Sequence, residues 1–372
     1  MKKFFLILII LSLLFLTACW DMEEINRRAF VSSIGMDLNK TSGLDKYVVT
    51  YIYPNINAIG KSATEDKKKF IIVVPSSSMF QAGRSASVHQ EFPFYYKHLK
   101  VLMIGEELAE NEKLMRQLID ELNRDTKINK KIQILVAKGE AKEVLGSKSN
   151  VIHEDIEAIY NILKDNRSAS RFTPQTLTGM IKELDYNNVA LVPSVESKGK
   201  KVSISGGAII KDYKLIGRLN TIENRSVAFL KNMVKTELVE VEYKERLLSY
   251  NITNSKCHKS IKIDGDVNVD ISLNIEGYLQ GYTVRDDINV YDSKVLEEME
   301  KVIEKQLEKE IKDVLELSQK KYNADLIGIG GHLSKYEPSA WDKIKGKWDE
   351  IYPEIRFNVS VNAKIRGTGL IK

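Results

Sequence analysis

No framework of disulfides can hold this fold, because its 372 residues include only two cysteines, Cys19 and Cys257. The five histidines, His89, His98, His153, His258 and His332, are scattered. His153-Glu154 has no second histidine four residues on, which excludes a zinc-protease helix. With 7 prolines and 21 glycines the chain is neither collagen-like nor of low complexity. Beyond residue 16 the most apolar windows, Phe70 to Val74 and Val101 to Ile104, are strand-sized, so no later segment has the length of a membrane span. Charge of one sign is also scarce. The net +5 falls to +3 once Lys2 and Lys3 are set aside with the leader described below, too little to argue for nucleic acid.

Catalytic signatures are missing as well. There is no Gly-x-Ser-x-Gly elbow, and Ser76-Ser77-Ser78 reads as a helix cap. Gly328-Ile329-Gly330-Gly331 follows a helix and lacks the spacing of a phosphate-binding loop, so it reads as a turn. Asp264, Asp266, Asn268 and Asp270 resemble the start of a calcium loop, but the sixth position is Val269 or Ile271 and the twelfth Ile275 or Gly277. They read as the polar face of a strand. No pattern supports an enzyme, and no cofactor or metal is expected.

What is present begins at the N-terminus. Lys2 and Lys3 precede Phe4 to Leu16, which is apolar except for Ser12 and too short for a permanent span of about 20 residues. Leu16-Thr17-Ala18-Cys19 then resembles the lipobox of bacterial lipoproteins. That resemblance implies removal of residues 1–18 and a diacylglyceryl group, with palmitate-type chains, on the Cys19 thiol. Two acyl chains, at about 0.8 kcal/mol per buried CH₂, hold a protein stably on a leaflet. Cys257 is left unpaired and reads as buried and inert. Trp20, beside the acylated end, suits the lipid interface. Lys67-Lys68-Lys69 reads as a solvated loop, with anionic lipid as the lesser alternative.

With 43% hydrophobic and 29% charged residues the remainder is an ordinary globular chain, long enough for two or three domains at roughly 150 residues each. Phe30 to Leu38, Tyr47 to Tyr53, Phe70 to Val74, Leu99 to Ile104 and Ile132 to Ala137 read as strands. Helical spacing marks Glu106 to Arg124 between the last two. Glu154 to Leu163 and a segment opening at Thr173-Pro174 read as helices. Val189 to Val195 and Val202 to Lys211 read as a hairpin, followed by a strand at 214–218 and a helix from about 221 to 231. Ile261 to Glu276 alternates strictly, predicting one long antiparallel strand paired with Thr236 to Tyr243 and Leu247 to Ile252. An apolar stripe predicts a helix from about Ser293 to Tyr322 lying across that sheet, which Ile355 to Ile365 closes. The expected class is α+β: three small mixed α/β domains, each a mainly antiparallel or mixed sheet packed with helices, at 19–150, 151–235 and 236–372 behind a leader at 1–18.

Ordered blocks carry a family resemblance. Cys19-Trp20-Asp21, Glu24-Ile25-Asn26 and Val31 to Asp37, then Gly207 to Gly217 with Asn224-Arg225, then Ala324 to Gly330 with Pro338, Trp341, Trp348 and Val359 to Gly369, resemble the Ger(x)C family. These are the C-subunit lipoproteins of spore germinant receptors. Ile329 stands where the family often has an aromatic. The resemblance implies a three-domain, non-enzymatic ectodomain lipid-anchored on the outer face of the spore inner membrane. It also implies two multi-spanning partners, the A-type and B-type receptor subunits, and no nucleic acid. Trp341 and Trp348, seven residues apart, share a helical face and read as a packing contact. Two other classes stay open. An extracellular solute-binding lipoprotein of a transporter shares the anchor and calls for two similar lobes around a cleft, and an envelope hydrolase calls for paired carboxylates.

Overall fold

The computed structural model describes residue 4 and residues 27–41, 43–55, 69–146, 159–164, 170–198, 201–282 and 292–367. The Phe30 to Leu38 run divides into β1 (Ala29–Phe30) and β2 (Ser33–Leu38), because the first two residues pair with a different partner. β3 (Tyr47–Pro54) and β4 (Lys69–Ser76) follow as an antiparallel pair. Ser78 caps α1 (Met79–Ala86) by accepting from the Gln81 N–H, as the serine run predicts. β5 (Phe94–Tyr95) pairs with β1, and β6 (Val101–Ile104) runs parallel to β2. The helical run after β6 is broken into α2 (Glu106–Ala109) and α3 (Glu112–Arg124), since Asn111 starts the second helix by accepting from the Leu114 N–H. β7 (Gln133–Ala137) and α4 (Ala141–Gly146) complete this part.

The segment at Thr173-Pro174 does not open the next helix. Gln175 instead lies along β7, its carbonyl accepting from Ile134, and Thr176 caps α5 (Leu177–Asn187). β8 (Val189–Lys198) and β9 (Lys201–Lys211) form the expected hairpin, followed by β10 (Lys214–Leu219) and α6 (Thr221–Leu230). β8 pairs parallel to β7 through Val136 with Ser194 and Ala137 with Val195. The segments at 19–150 and 151–235 therefore share one eight-stranded sheet, in the order β10-β9-β8-β7-β6-β2-β3-β4.

Over its central strands both faces of this sheet are buried, which explains their nearly continuous apolar runs. Leu102, Ile104, Ile134, Val136, Ala190 and Ile210 face one core, filled also from α1, α3 and α5. On the other face, Val101, Met103, Leu135 and Val195 meet α4. Further along that face, Val189, Leu191 and Ile209 join a core made mostly by the C-terminal part of the chain.

That part is a four-stranded sheet of β11 (Glu237–Tyr243), β12 (Arg246–Asp264), β13 (Asp266–Tyr282) and β14 (Arg356–Gly367). The Ile261 to Glu276 alternation is two strands rather than one. The chain reverses at Gly265, at φ +72°, between Asp264 and Asp266. Ile263 and Val267 become direct cross-strand partners, so the alternation stays in phase through the turn and conceals it.

α7 (Ser293–Glu316) is the predicted long helix, extended by a π turn at Leu317–Lys321. Met299, Ile303, Leu307, Ile311 and Val314 bury its stripe. Its glutamates do a second job. Glu300, Glu304 and Glu308 accept from the N–H groups of Ile365, Ala363 and Val361, closing the outer edge of β14. The crossover through α7 makes β14 parallel to β13, so the sheet is mixed. Between them lie α8 (Ile329–Tyr336), α9 (Pro338–Ile344) and α10 (Trp348–Ile351).

Candidate functional site

The block at 31–37 lies in and just before β2. Its Asp37 is buried, and its carboxylate accepts from Ala141 N–H at 2.6 Å and Lys142 N–H at 2.9 Å, fixing the start of α4. Burial raises the Asp37 pKa above the usual carboxylate range, against the lowering effect of these two donors. Gly105 leaves room for this cap, since a Cβ there would stand 2.0 Å from Asp37 Oδ1.

The second block forms the seam between the two large sheets. Asp212 and Tyr213, at φ +50° and +65°, make the two-residue turn from β9 to β10. Lys211, just before it, reaches across to donate to the Asn323 carbonyl and to Asp349 Oδ1, both at 2.7 Å. Gly217 lies under the Tyr322 ring, whose hydroxyl donates to the Arg218 carbonyl at 3.2 Å. Arg218 turns back toward the first part of the chain, donating to Glu106 at 2.9 Å, to the Ala137 carbonyl at 2.8 Å and to Ser194. Arg225, on α6, lies 2.5 Å from Glu310 of α7 and 3.6 Å from Glu237 of β11. All three of these side chains are at most 13% exposed.

The third block completes the seam. After the π turn, the buried Asp325 accepts from Ile329 N–H at 3.0 Å and Gly330 N–H at 2.7 Å, which starts α8. The glycines at 328–331 thus open a helix rather than form only a turn, with Gly328 at φ +73° supplying the left-handed entry. Burial raises the Asp325 pKa, and burial lowers that of Lys259, which donates to the Ile327 carbonyl at 3.2 Å. Trp341 and Trp348 meet edge to face, 5.1 Å apart, over Gly330. Tyr352 continues the stack and shares a hydrogen bond with Ser318 at 2.8 Å. The tryptophan pair is thus a packing contact, as its spacing suggests.

A polar cleft of about 300 Å³ remains on this seam, lined among others by Asn188, Lys211, Asn323, Lys347 and Asp349. Two of its carboxylates are engaged: Asp325 with backbone N–H groups and Asp349 with Lys211. Among the described residues no group of three or more His, Cys, Asp or Glu side chains is placed to hold a metal. Cys257 is buried, and burial raises its thiol pKa. His98 packs against Phe30 and Tyr95, and His332 against Tyr336. Leu16, Thr17, Ala18, Cys19 and Trp20 lie outside the described residues, as do Lys67, Lys68 and His153. Among the described residues no helix is long and apolar enough to cross a membrane.

The sequence did not single out the charged links of this seam. Lys211 and Asp349 are 138 residues apart, and Arg225 and Glu310 are 85 apart, so no local spacing announces either pair. A signal did exist for the β14 edge: Glu300, Glu304 and Glu308 recur every four residues beside the apolar stripe of α7.

Two families of known proteins match consecutive parts of the chain. Residues 21–197 match the spore germination protein N-terminal domain, and residues 205–369 match the family described as spore germination B3/GerAC like, C-terminal. The division falls inside the β8–β9 hairpin. Spore germination protein B3 of Bacillus subtilis (strain 168) is 24% identical over 368 residues, covering 96% of this chain and 96% of its own length. Spore germination protein KC of the same organism is 25% identical, covering 98% of this chain and 95% of its own. The crystal structure of the GerBC protein superposes with a TM-score of 0.62 at 23% identity, over 93% of this chain and 100% of that one, a likeness of fold. By these matches, and by the blocks that build the seam, the chain belongs to the Ger(x)C family of spore germination proteins, the C subunits of germinant receptors.

Proposed function

We propose that this chain is a lipid-anchored, non-enzymatic C subunit of a nutrient germinant receptor. On this reading it is held through Cys19 on the outer face of the spore inner membrane, where it scaffolds or couples two multi-spanning subunits of the A and B types. The observation that carries the proposal is the placement of the family blocks. They fasten α4 to the large sheet, the large sheet to α7, and the chain after the π turn to β9 and β10, rather than ringing a reactive centre. A rigid body built this way can transmit a displacement from one partner to another without chemistry of its own.

The solute-binding alternative asks for two similar lobes. An eight-stranded and a four-stranded sheet of different strand order do not supply them. The test is Cys19→Ala in sporulating cells. The expected result is an unacylated precursor, loss of the protein from the spore membrane fraction and a weakened germination response. Normal acylation and membrane retention of that variant would overturn the anchor.

A further inference from the structure

The outer margin of the eight-stranded sheet is unlike the rest of the surface. β4 pairs with β3 on one side, and no described strand pairs with its other edge. Apolar side chains cluster around that edge: Phe70 is 45% exposed, Ile71 40% and Val73 49%. Ile71 and Val73 point from the opposite face to Ile72 and Val74, which pack toward the core, so apolar surface wraps the edge. Phe80 on α1 and Val88 just after it add to the same region, at 54% and 78% exposure. Addition of a strand from another chain is opposed by Pro75, an edge-strand residue without an N–H to offer, and by Lys69 at the other end.

The N-terminal tether reaches the fold at this margin. Ala29 of β1 pairs with Phe94 of β5. The Phe94 ring lies 5.7 Å from that of Tyr53, which lies 5.2 Å from that of Phe70. Ten residue steps separate Cys19 from Ala29. Ten residue steps span at most about 35 Å whatever their conformation. A lipid at Cys19 would therefore hold this margin within about 35 Å of the bilayer, at high effective concentration. The local charge is net positive. Arg27, Arg28, Lys69, Arg84, Lys97 and Lys127 stand against Glu91 and against Glu121 and Asp125, which lie beside α1.

We propose that the β4 edge and α1, centred on Phe70, Ile71, Val73 and Phe80, form a surface that docks on an anionic lipid bilayer and sets the orientation of the ectodomain; this rests on the anchor reading above. The edge of β4 that no described strand pairs with could not be satisfied in hydrocarbon, so the contact lies at headgroup depth, with the apolar side chains reaching into the acyl boundary. The basic residues meet the negative surface.

The test uses the full acylated chain in phosphatidylglycerol–phosphatidylcholine vesicles. Cys257 is buried and the Cys19 thiol is consumed by acylation, so an introduced cysteine is the one that takes a polarity-sensitive dye. Dyes are placed through Val73→Cys and Phe80→Cys, with Leu238→Cys on β11 as the control. The expected result is a blue shift and a several-fold loss of iodide quenching at 73 and 80, weaker on phosphatidylcholine alone, with no change at 238. A chain that floats with the vesicles while 73 and 80 stay as accessible as 238 overturns the docking surface and leaves the anchor standing. A chain that does not float removes the anchor and the proposal together. Shielding at 73 and 80 that requires added receptor subunits overturns lipid as the occupant.

Discussion

Replacing Arg225 by methionine tests the seam at a buried charge cluster. The guanidinium lies 2.5 Å from Glu310 and 3.6 Å from Glu237, and those two carboxylates are 9% and 10% exposed. Met fills the volume of the aliphatic stem but leaves both acids without their cation. Taking one partner from a buried ion pair costs about 3–5 kcal/mol, because the remaining charge stays desolvated. The looser contact to Glu237 places the expected loss near the lower end, about 3 kcal/mol. At about 1.3 °C per kcal/mol for a chain of this size, the melting temperature should fall by about 4 °C, as read by calorimetry of the detergent-solubilised protein. Adding Glu310→Leu should recover more than half of the loss, since an apolar replacement of a buried pair is often neutral. A loss below about 1 kcal/mol, as for an exposed pair, or a double variant as poor as the sum of its parts, would refute the reasoning.

The remaining predictions concern backbone and edge. Gly206→Ala should cost about 2 kcal/mol or more, because Gly206 is at φ +69° and a Cβ would stand 2.0 Å from the Leu219 carbonyl oxygen. Gly146→Ala, with open space around it, should be neutral when both variants are compared by urea titration; equal effects would contradict the packing described. Glu304→Ala should leave the Ala363 N–H without its 2.9 Å acceptor and speed its hydrogen exchange. Unchanged exchange there would mean that the glutamates do not close the edge. Burial raises the Asp325 carboxyl above its ordinary 3.8. The native chain then holds this proton to a higher pH than the unfolded chain, and stability falls as pH climbs from the unfolded value through the native one. Asp325→Asn lacks that proton, so its cost relative to the natural chain should shrink over this window; a constant gap would contradict it.

Elements whose partners are near in sequence were legible. The hairpin of β8 and β9 follows from a short polar join between two apolar runs, and α7 from a stripe of one period along its whole length. The turn at Gly265 was missed because cross-strand pairing of Ile263 with Val267 preserves the alternation on which strand length was judged. The Asp-Gly step within it was the available signal. The union of residues 29–137 and 189–219 in one sheet depends on β7 choosing β8, a pairing across more than fifty residues that no local pattern encodes. The seam was hidden for the same reason. Its glycines and tryptophans stand out singly, but that Gly217 receives Tyr322 and Gly330 receives Trp341 follows only once the chain has folded. Leu16 to Cys19 lie outside the described residues, and their reading as a lipobox rests on linear spacing alone.

The most direct test of the receptor-subunit account is affinity isolation of the acylated chain from spore inner membranes, with co-purifying proteins identified by mass. The account predicts two multi-spanning germination proteins recovered with it. Recovery of a transporter permease and ATPase instead, or of no membrane partner together with a tightly held small solute, would contradict it.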